Sequence, residues 1–320
     1  MKIFSKLFVF LGVFLFSSSL IASPLVDVDW LNDKISSGET ENKILLIDLR
    51  NGIGNGSYET YLEGHIPTSI HSDYGKDGWR VAVDGTVGLV PSENQFQELA
   101  RSLGVNSDTH IILIPAGVSS SDFGSAARSY WTFKAFGHDE VSVLNGGYAA
   151  WVANYPNDIE FGPFKARELG NFNATFHEDI YISTEQVFDI VQNNQSVILL
   201  DGRNEPQYYA EKKHPKSRVP GRLPGSELLF QENSYNLADN SLKDADELKD
   251  IYADYLTGEV VSYCNTGHWA ATNWFVLSEI LGNNEVRLYD GSMVEWTANE
   301  DLPIENSGPT NLDKLIKIIG

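Results

Sequence analysis

Short, uninterrupted apolar runs recur along the chain. Lys43 to Leu49 reads Lys-Ile-Leu-Leu-Ile-Asp-Leu and ends at Arg50; Val197 to Arg203 reads Val-Ile-Leu-Leu-Asp-Gly-Arg. Aliphatic runs of this length predict strands covered on both faces, the signature of a parallel sheet. His110 to Pro115 and Glu259 to Tyr263 read the same way. Behind each of these two lies an apolar series at helical spacing. The first is Ala126, Tyr130, Phe133 and Phe136, closed by Gly137; the second is Ala270, Trp274, Leu277 and Leu281, closed by Gly282. Glycine is the usual residue just past a helix end. Strands alternating with helices imply an α/β fold with parallel sheets.

The pattern occurs twice. Tyr58 and Tyr61 lead to Gly64-His65-Ile66-Pro67-Thr68-Ser69, while Tyr208 and Tyr209 lead to Gly221-Arg222-Leu223-Pro224-Gly225-Ser226. Val143-Leu144-Asn145-Gly146-Gly147-Tyr148-Ala149-Ala150-Trp151 closes the first half. Arg287-Leu288-Tyr289-Asp290-Gly291-Ser292-Met293-Val294-Glu295-Trp296 closes the second. Landmarks matched in the same order indicate a duplicated domain. Pro156, Gly162, Pro163 and Gly170 mark a linker. The resulting division is a domain over 25–158, a linker over 159–176, a second domain over 177–308 and a tail over 309–320. Trp151 and Trp296 are expected to pack each domain's last helix on its sheet. The Gly52-Ile53-Gly54-Asn55-Gly56 cluster is no dinucleotide loop, because no amphipathic helix opens directly behind it.

Residues 1–22 stand apart from this fold. Lys2 and Lys6 precede an apolar stretch from Leu7 to Phe16, then three serines lead to Leu20-Ile21-Ala22. The stretch falls short of the ~20 residues of a spanning helix and matches a cleavable signal peptide. The expectation is a protein exported, most simply to a bacterial periplasm, with no stable membrane insertion after cleavage. The chain of 320 residues carries 44 Asp and Glu against 23 Lys and Arg, a formal charge of −21. Such an acidic surface repels phosphate backbones, so nucleic acid is not an expected partner. There is one cysteine, so no disulfide forms within the chain.

That cysteine, Cys264, ends the run Val260-Val261-Ser262-Tyr263 and opens Asn265-Thr266-Gly267-His268-Trp269 before a helix from about Ala270. Reactive groups collect at the carboxyl ends of parallel strands. A tight loop feeding a helix turns backbone N–H groups toward one point, a cradle for an anion such as a thiolate or persulfide sulfur. Gly267 can take a conformation barred to other residues. The alternative is a buried, inert thiol. A metal pair from Cys264 and His268 lacks further ligands nearby in sequence. His268 has three readings: it supplies charge, it donates a hydrogen bond to the sulfur, or it points to solvent. Trp269 either walls a pocket or joins the core.

The duplicated Asp-x-Arg strands, the Gly-His-Ile-Pro segment, the Tyr-Asp-Gly-Ser-Met-x-Glu-Trp ending and the cysteine loop together resemble the two-domain rhodanese family of sulfurtransferases. The resemblance runs from about Leu25 to Ile304. It implies two tandem α/β domains, each a parallel sheet flanked by helices, with catalysis in the second alone. The matching first-half loop, Ala116-Gly117-Val118-Ser119-Ser120-Ser121-Asp122, has no cysteine. By the same resemblance Cys264 takes a sulfane sulfur from a small donor such as thiosulfate or 3-mercaptopyruvate. It then passes that sulfur to cyanide or a thiol, without cofactor or metal. Asp201 and Arg203 are expected to brace the loop from below, and His65 to be structural. The loop sequence matches neither the basic pattern of thiosulfate-type members nor the Gly-Ser-Gly of mercaptopyruvate-type members, and an arginine common in the family falls at Gln207. Replacement positive charge is sought first at Arg218 and Arg222, and also at Lys212, Lys213 and Arg80. The rival reading is a catalytically silent sulfur carrier or binding module.

Overall fold

A computed structural model describes residues 22–164, 167–193 and 196–309. The expected signal peptide, 1–22, and the expected tail, 309–320, lie outside the described residues, apart from Ala22 and Pro309. In the first half the strands are β1 (Leu25–Val26), β2 (Ile44–Asp48), β3 (Ile70–His71), β4 (His110–Ile114) and β5 (Val141–Leu144). They lie parallel in the order β1-β5-β4-β2-β3. The second half has β6 (Tyr181–Ile182), β7 (Ile198–Asp201), β8 (Glu227–Leu228), β9 (Val260–Tyr263) and β10 (Val286–Tyr289). Their order, β6-β10-β9-β7-β8, repeats the first strand for strand. The aliphatic runs fill the sheet centres. Every residue of β2 and β9 is buried, which is why those strands carry no polar alternation.

Two helices meet between the sheets. α1 (Ser120–Ala135) follows β4, and α2 (His268–Phe275) follows β9. Phe275 meets the rings of Phe123 and Tyr130 edge-on, at centroid distances of 5.9 and 4.9 Å. A single apolar cluster runs from Leu45 and Leu113 through both helices to Leu288, so the halves share one core. This is why α1 is buried on nearly all sides rather than along one stripe. α2 starts at His268, two residues earlier than its apolar spacing indicates, and widens into a π-turn over Val276–Ile280. Trp151 and Trp296 are fully buried, and their indole N–H groups donate to the carbonyls of Asp158 and Pro303.

The linker clings to the first half. Phe172 is buried, and the N–H groups of Gly170, Phe172 and Thr175 donate to the carbonyls of Arg101, Val105 and Phe136. Each half also sends a hairpin over the other. The hairpin Val81–Val83 with Thr86–Leu89 leads to Val90, whose N–H donates to Asp290 Oδ2 at 2.7 Å. The hairpin Tyr235–Asn236 with Ser241–Leu242 returns the gesture, Leu242 N–H donating to Asn145 Oδ1 at 2.9 Å. Asn145 and Asp290 hold the same place in the two closing signatures, so the halves clasp each other reciprocally.

Candidate active site

Cys264 follows the last residue of β9 and is 2% exposed. Its N–H donates to Ser292 Oγ at 3.0 Å, and Gly267 N–H donates to the same oxygen at 3.1 Å. Ser292 Oγ in turn donates to Tyr289 O at 2.8 Å. One hydroxyl thus pins both ends of the four-residue loop, and Ser292 itself sits at φ +49° to do so. Gly267 has φ +66°, and a Cβ there would stand 2.7 Å from Asp290 O. Its carbonyl accepts from Arg128 Nη1 of α1 at 3.1 Å, and Arg128 also pairs with Asp290. With that carbonyl turned into the domain boundary, the opening N–H groups of α2 have no side-chain cap. They carry the partial positive charge of a helix start.

A cavity of about 270 Å³ opens at this loop. The second half lines it with Cys264, Asn265, Thr266, His268, Trp269, Gln207 and His214; the first half adds Ile53, Arg80 and Ser121. The predicted loop residues therefore divide. Gly267 and Ala270 stand behind the wall, Ala270 with its carbonyl accepting from Ser262 Oγ. Asn265 is fixed by its amide donating to Gln207 Oε1 at 3.1 Å. Trp269 walls the pocket, its indole N–H donating to Ser121 Oγ at 2.8 Å.

The charge-supplying reading of His268 is corrected by its surroundings. Being in the first turn of α2, the ring points back into α1. Ser121 O must accept from Nε2–H at 2.8 Å, so Nδ1 accepts from Tyr74 O–H at 2.9 Å. Burial, then the nearby Arg80 and Arg128, lower its pKa to about 3. The imidazole is neutral and both nitrogens are engaged across the domain boundary.

Arg218 and Arg222 are likewise corrected. Arg218 donates to Thr297 O at 2.8 Å on the surface. Arg222 is buried against Tyr208, bonded to Ser307 O at 3.0 Å and ion-paired with Glu305. Neither lines the cavity: their partners on the segment after α2 claim them. Asp201 and Arg203 form a buried pair below the loop, Arg203 Nη2 also donating to Gly221 O at 2.9 Å. Gly202 N–H donates to Tyr263 O at 2.8 Å and ties that pair to the strand carrying Cys264. Asp48 and Arg50 repeat the arrangement, Arg50 reaching Gly64 O at 2.8 Å. His65 is buried, stacked on Tyr61 at 4.0 Å and away from the cavity. Among the described residues no group of three or more His, Cys, Asp or Glu is placed to hold a metal.

Sequence reasoning left Ser292, Ser121 and Arg128 without a role. Ser292 lies within the quoted closing signature, so its signal was present. The other two act on residues more than a hundred positions away; Ser121 lies within the quoted first-half loop, and Arg128 carries no local signal.

The first-half loop is built on the same frame but without a thiol. Tyr148 N–H and Ala149 N–H donate to Pro115 O and Ala116 O, just as Met293 and Val294 donate to Cys264 O and Asn265 O. Pro115 thus holds the place of the cysteine, one residue before the loop as aligned from sequence. In this loop the Asp122 carboxylate accepts from Gly117 N–H at 2.7 Å. Burial raises its pKa, opposed by the amides of Gly117, Ala116 and Val118. The protein's own anion fills the cradle.

Two sheets of matched strand order, each with a pinned loop between its central strand and helix, define a class. The rhodanese-like domain family matches residues 27–154 and again 183–299, and the chain belongs to that family. It is 31% identical to the 3-mercaptopyruvate sulfurtransferase of Escherichia coli K12, over 88% of this chain and 97% of that one. It is 28% identical to the thiosulfate sulfurtransferase of Rattus norvegicus, over 85% and 91%. Its fold matches the crystal structure of SseA from Escherichia coli, a 3-mercaptopyruvate sulfotransferase. The TM-score is 0.69 at 26% identity, covering 85% of this chain and 99% of that one.

Proposed function

We propose that this chain moves a sulfane sulfur through a persulfide on Cys264. Sulfurtransferase is the class of its named relatives at about 30% identity. In the first step the Cys264 thiolate attacks the outer sulfur of the donor, and an S–S bond forms to Sγ. The bond between that sulfur and the donor remnant breaks, and its electron pair leaves with the remnant. In the second step cyanide or a thiolate attacks the outer sulfur, and Cys264 leaves as thiolate. The opening N–H groups of α2 stabilise negative sulfur in both steps. The observation that carries this reading is the placement of the sole cysteine, in the lining of a cavity and beside an uncapped helix start. We further propose an exported location, resting on Lys2 to Ala22.

Intact mass after incubation with thiosulfate or with 3-mercaptopyruvate tests the proposal. A gain of one sulfur is expected, absent in Cys264→Ser and lost on adding cyanide. No gain from either donor, or a gain retained by the serine variant, overturns it. A gain that cyanide and thiols cannot discharge favours a silent carrier.

A further inference from the structure

We infer that Arg80, a first-domain residue, binds the oxyanion end of the sulfur donor, so that donor choice is made by the domain without the cysteine. The inference rests on Cys264 being the sulfur-accepting nucleophile. Arg80 lines the same cavity as Cys264. Among the described residues its Nε is buried without a hydrogen-bond partner, and it forms no ion pair. A buried N–H lacking an acceptor is a standing cost that an incoming anion relieves. The guanidinium lies over the Tyr74 ring, 4.7 Å from its centroid. Tyr74 O–H is in turn held by His268 of the second domain. The planar fork is thereby preset, and a fork of N–H donors matches a carboxylate or sulfonate in two parallel bonds.

Neighbouring arginines and histidines are engaged elsewhere. Arg128 is spent on Asp290 and Gly267, Arg203 on Asp201, and Arg222 on Glu305. His268 is locked neutral by its two partners. Burial first, and then Lys213, Lys216 and Arg80, disfavour protonation of His214. A chain of formal charge −21 repels anionic donors, so a fixed cation inside the cavity is needed to hold one.

The hairpin behind Arg80 keeps it over the loop. Gly88, at φ +89°, lies so close to Thr266 that a Cβ would approach the threonine Cβ to 2.9 Å. Val90 then anchors the hairpin on Asp290. The donor site is therefore complete only while the two domains are clasped. The recognised chemistry is a small molecule bearing its transferable sulfur close to an oxyanion.

The test uses the single thiol of the full-length chain. Alkylation of Cys264 is timed with iodoacetate and with iodoacetamide, in wild type, Arg80→Gln and Arg80→Lys. The iodoacetate-to-iodoacetamide rate ratio should fall about tenfold in Arg80→Gln and be largely restored in Arg80→Lys. In parallel, KM for the donor should rise by about the same factor in Arg80→Gln with kcat little changed. Thiosulfate and 3-mercaptopyruvate are measured as separate arms to tell a sulfonate-type from a carboxylate donor. An unchanged alkylation ratio in Arg80→Gln, with thermal unfolding as in wild type, overturns the inference. If wild type gains no sulfur from any donor while the ratio still falls, anion binding by Arg80 stands and the persulfide reading fails. If sulfur is gained and the ratio is flat, only the role of Arg80 fails.

Discussion

Lowering the pH from about 7 to about 5 should weaken this protein through His268, and the amount can be worked from its surroundings. In the folded chain the imidazole is buried and neutral, with its pKa lowered from 6.5 to about 3 by burial and by Arg80 and Arg128. In the unfolded chain it titrates at its ordinary value. A folded pKa below the unfolded one means the unfolded chain binds the proton first. The contribution is therefore intact above pH 6.5 and is lost progressively as pH falls toward 3. Each pH unit below the unfolded value is worth about 1.4 kcal/mol, so roughly 2 kcal/mol should go between pH 7 and 5. His65, His110, His138 and His214 also have lowered pKa values, so wild-type acid sensitivity alone proves nothing about this residue. The comparison is with His268→Gln, whose amide can still donate to Ser121 O and accept from Tyr74 O–H but does not titrate. Urea unfolding at both pH values should show wild type losing about 2 kcal/mol more than the variant. Equal losses would mean that His268 titrates alike folded and unfolded, and the neutral bridge between Ser121 and Tyr74 would be refuted.

Gly267→Ala should destabilise the fold by about 2–4 kcal/mol and abolish sulfur uptake, because its φ of +66° and the nearby Asp290 carbonyl both exclude a Cβ. Denaturant midpoints within error of wild type would show that the loop can relax around a methyl group. Asp122→Ala should empty the first-half cradle, so that sulfate raises the melting temperature of the variant more than that of wild type. Equal shifts would mean that the freed amides of Ala116, Gly117 and Val118 hold no anion.

The chain's duplication, its parallel sheets and the place of Cys264 were readable from sequence because each is local. Apolar runs mark buried strands, and a cysteine at a strand end before a helical pattern needs no distant partner to be recognised. The start of α2 was misjudged by two residues because the apolar period reports only the core-facing positions, and His268 and Trp269 face the other domain. The basic residues could not be ranked for the opposite reason. Arg80, Arg218 and Arg222 all sit in polar loops, and what separates them is the presence or absence of a partner far along the chain. Arg222 is neutralised by Glu305, 83 residues away, while the Arg80 Nε is buried without an acceptor among the described residues. Periodicity tells what is buried; it does not tell against what.

The two loops share a frame and differ in what satisfies their backbone amides. Both turn backbone amides toward a common point at the end of a central strand. In the first, Pro115 stands in place of the thiol, Ser119 caps α1 and the Asp122 carboxyl group accepts from Gly117 N–H, so the loop is closed by the chain's own side chains. In the second there is a thiol, no side-chain cap on α2 and no resident carboxylate: the Cys264 and Gly267 amides turn to Ser292 Oγ, and Asn265 and Thr266 line the cavity. A loop stripped of its internal ligand loses the contacts that would hold it in shape, and here they are supplied from outside. Arg128 takes the Gly267 carbonyl, Ser292 takes two amides, and Ser121 with Tyr74 fixes the first turn of α2. Three of those four residues belong to the half that has no cysteine. The first half thus has a structural task at this loop: a cradle without an internal carboxylate is braced by its neighbour, and the domain without the cysteine is that neighbour.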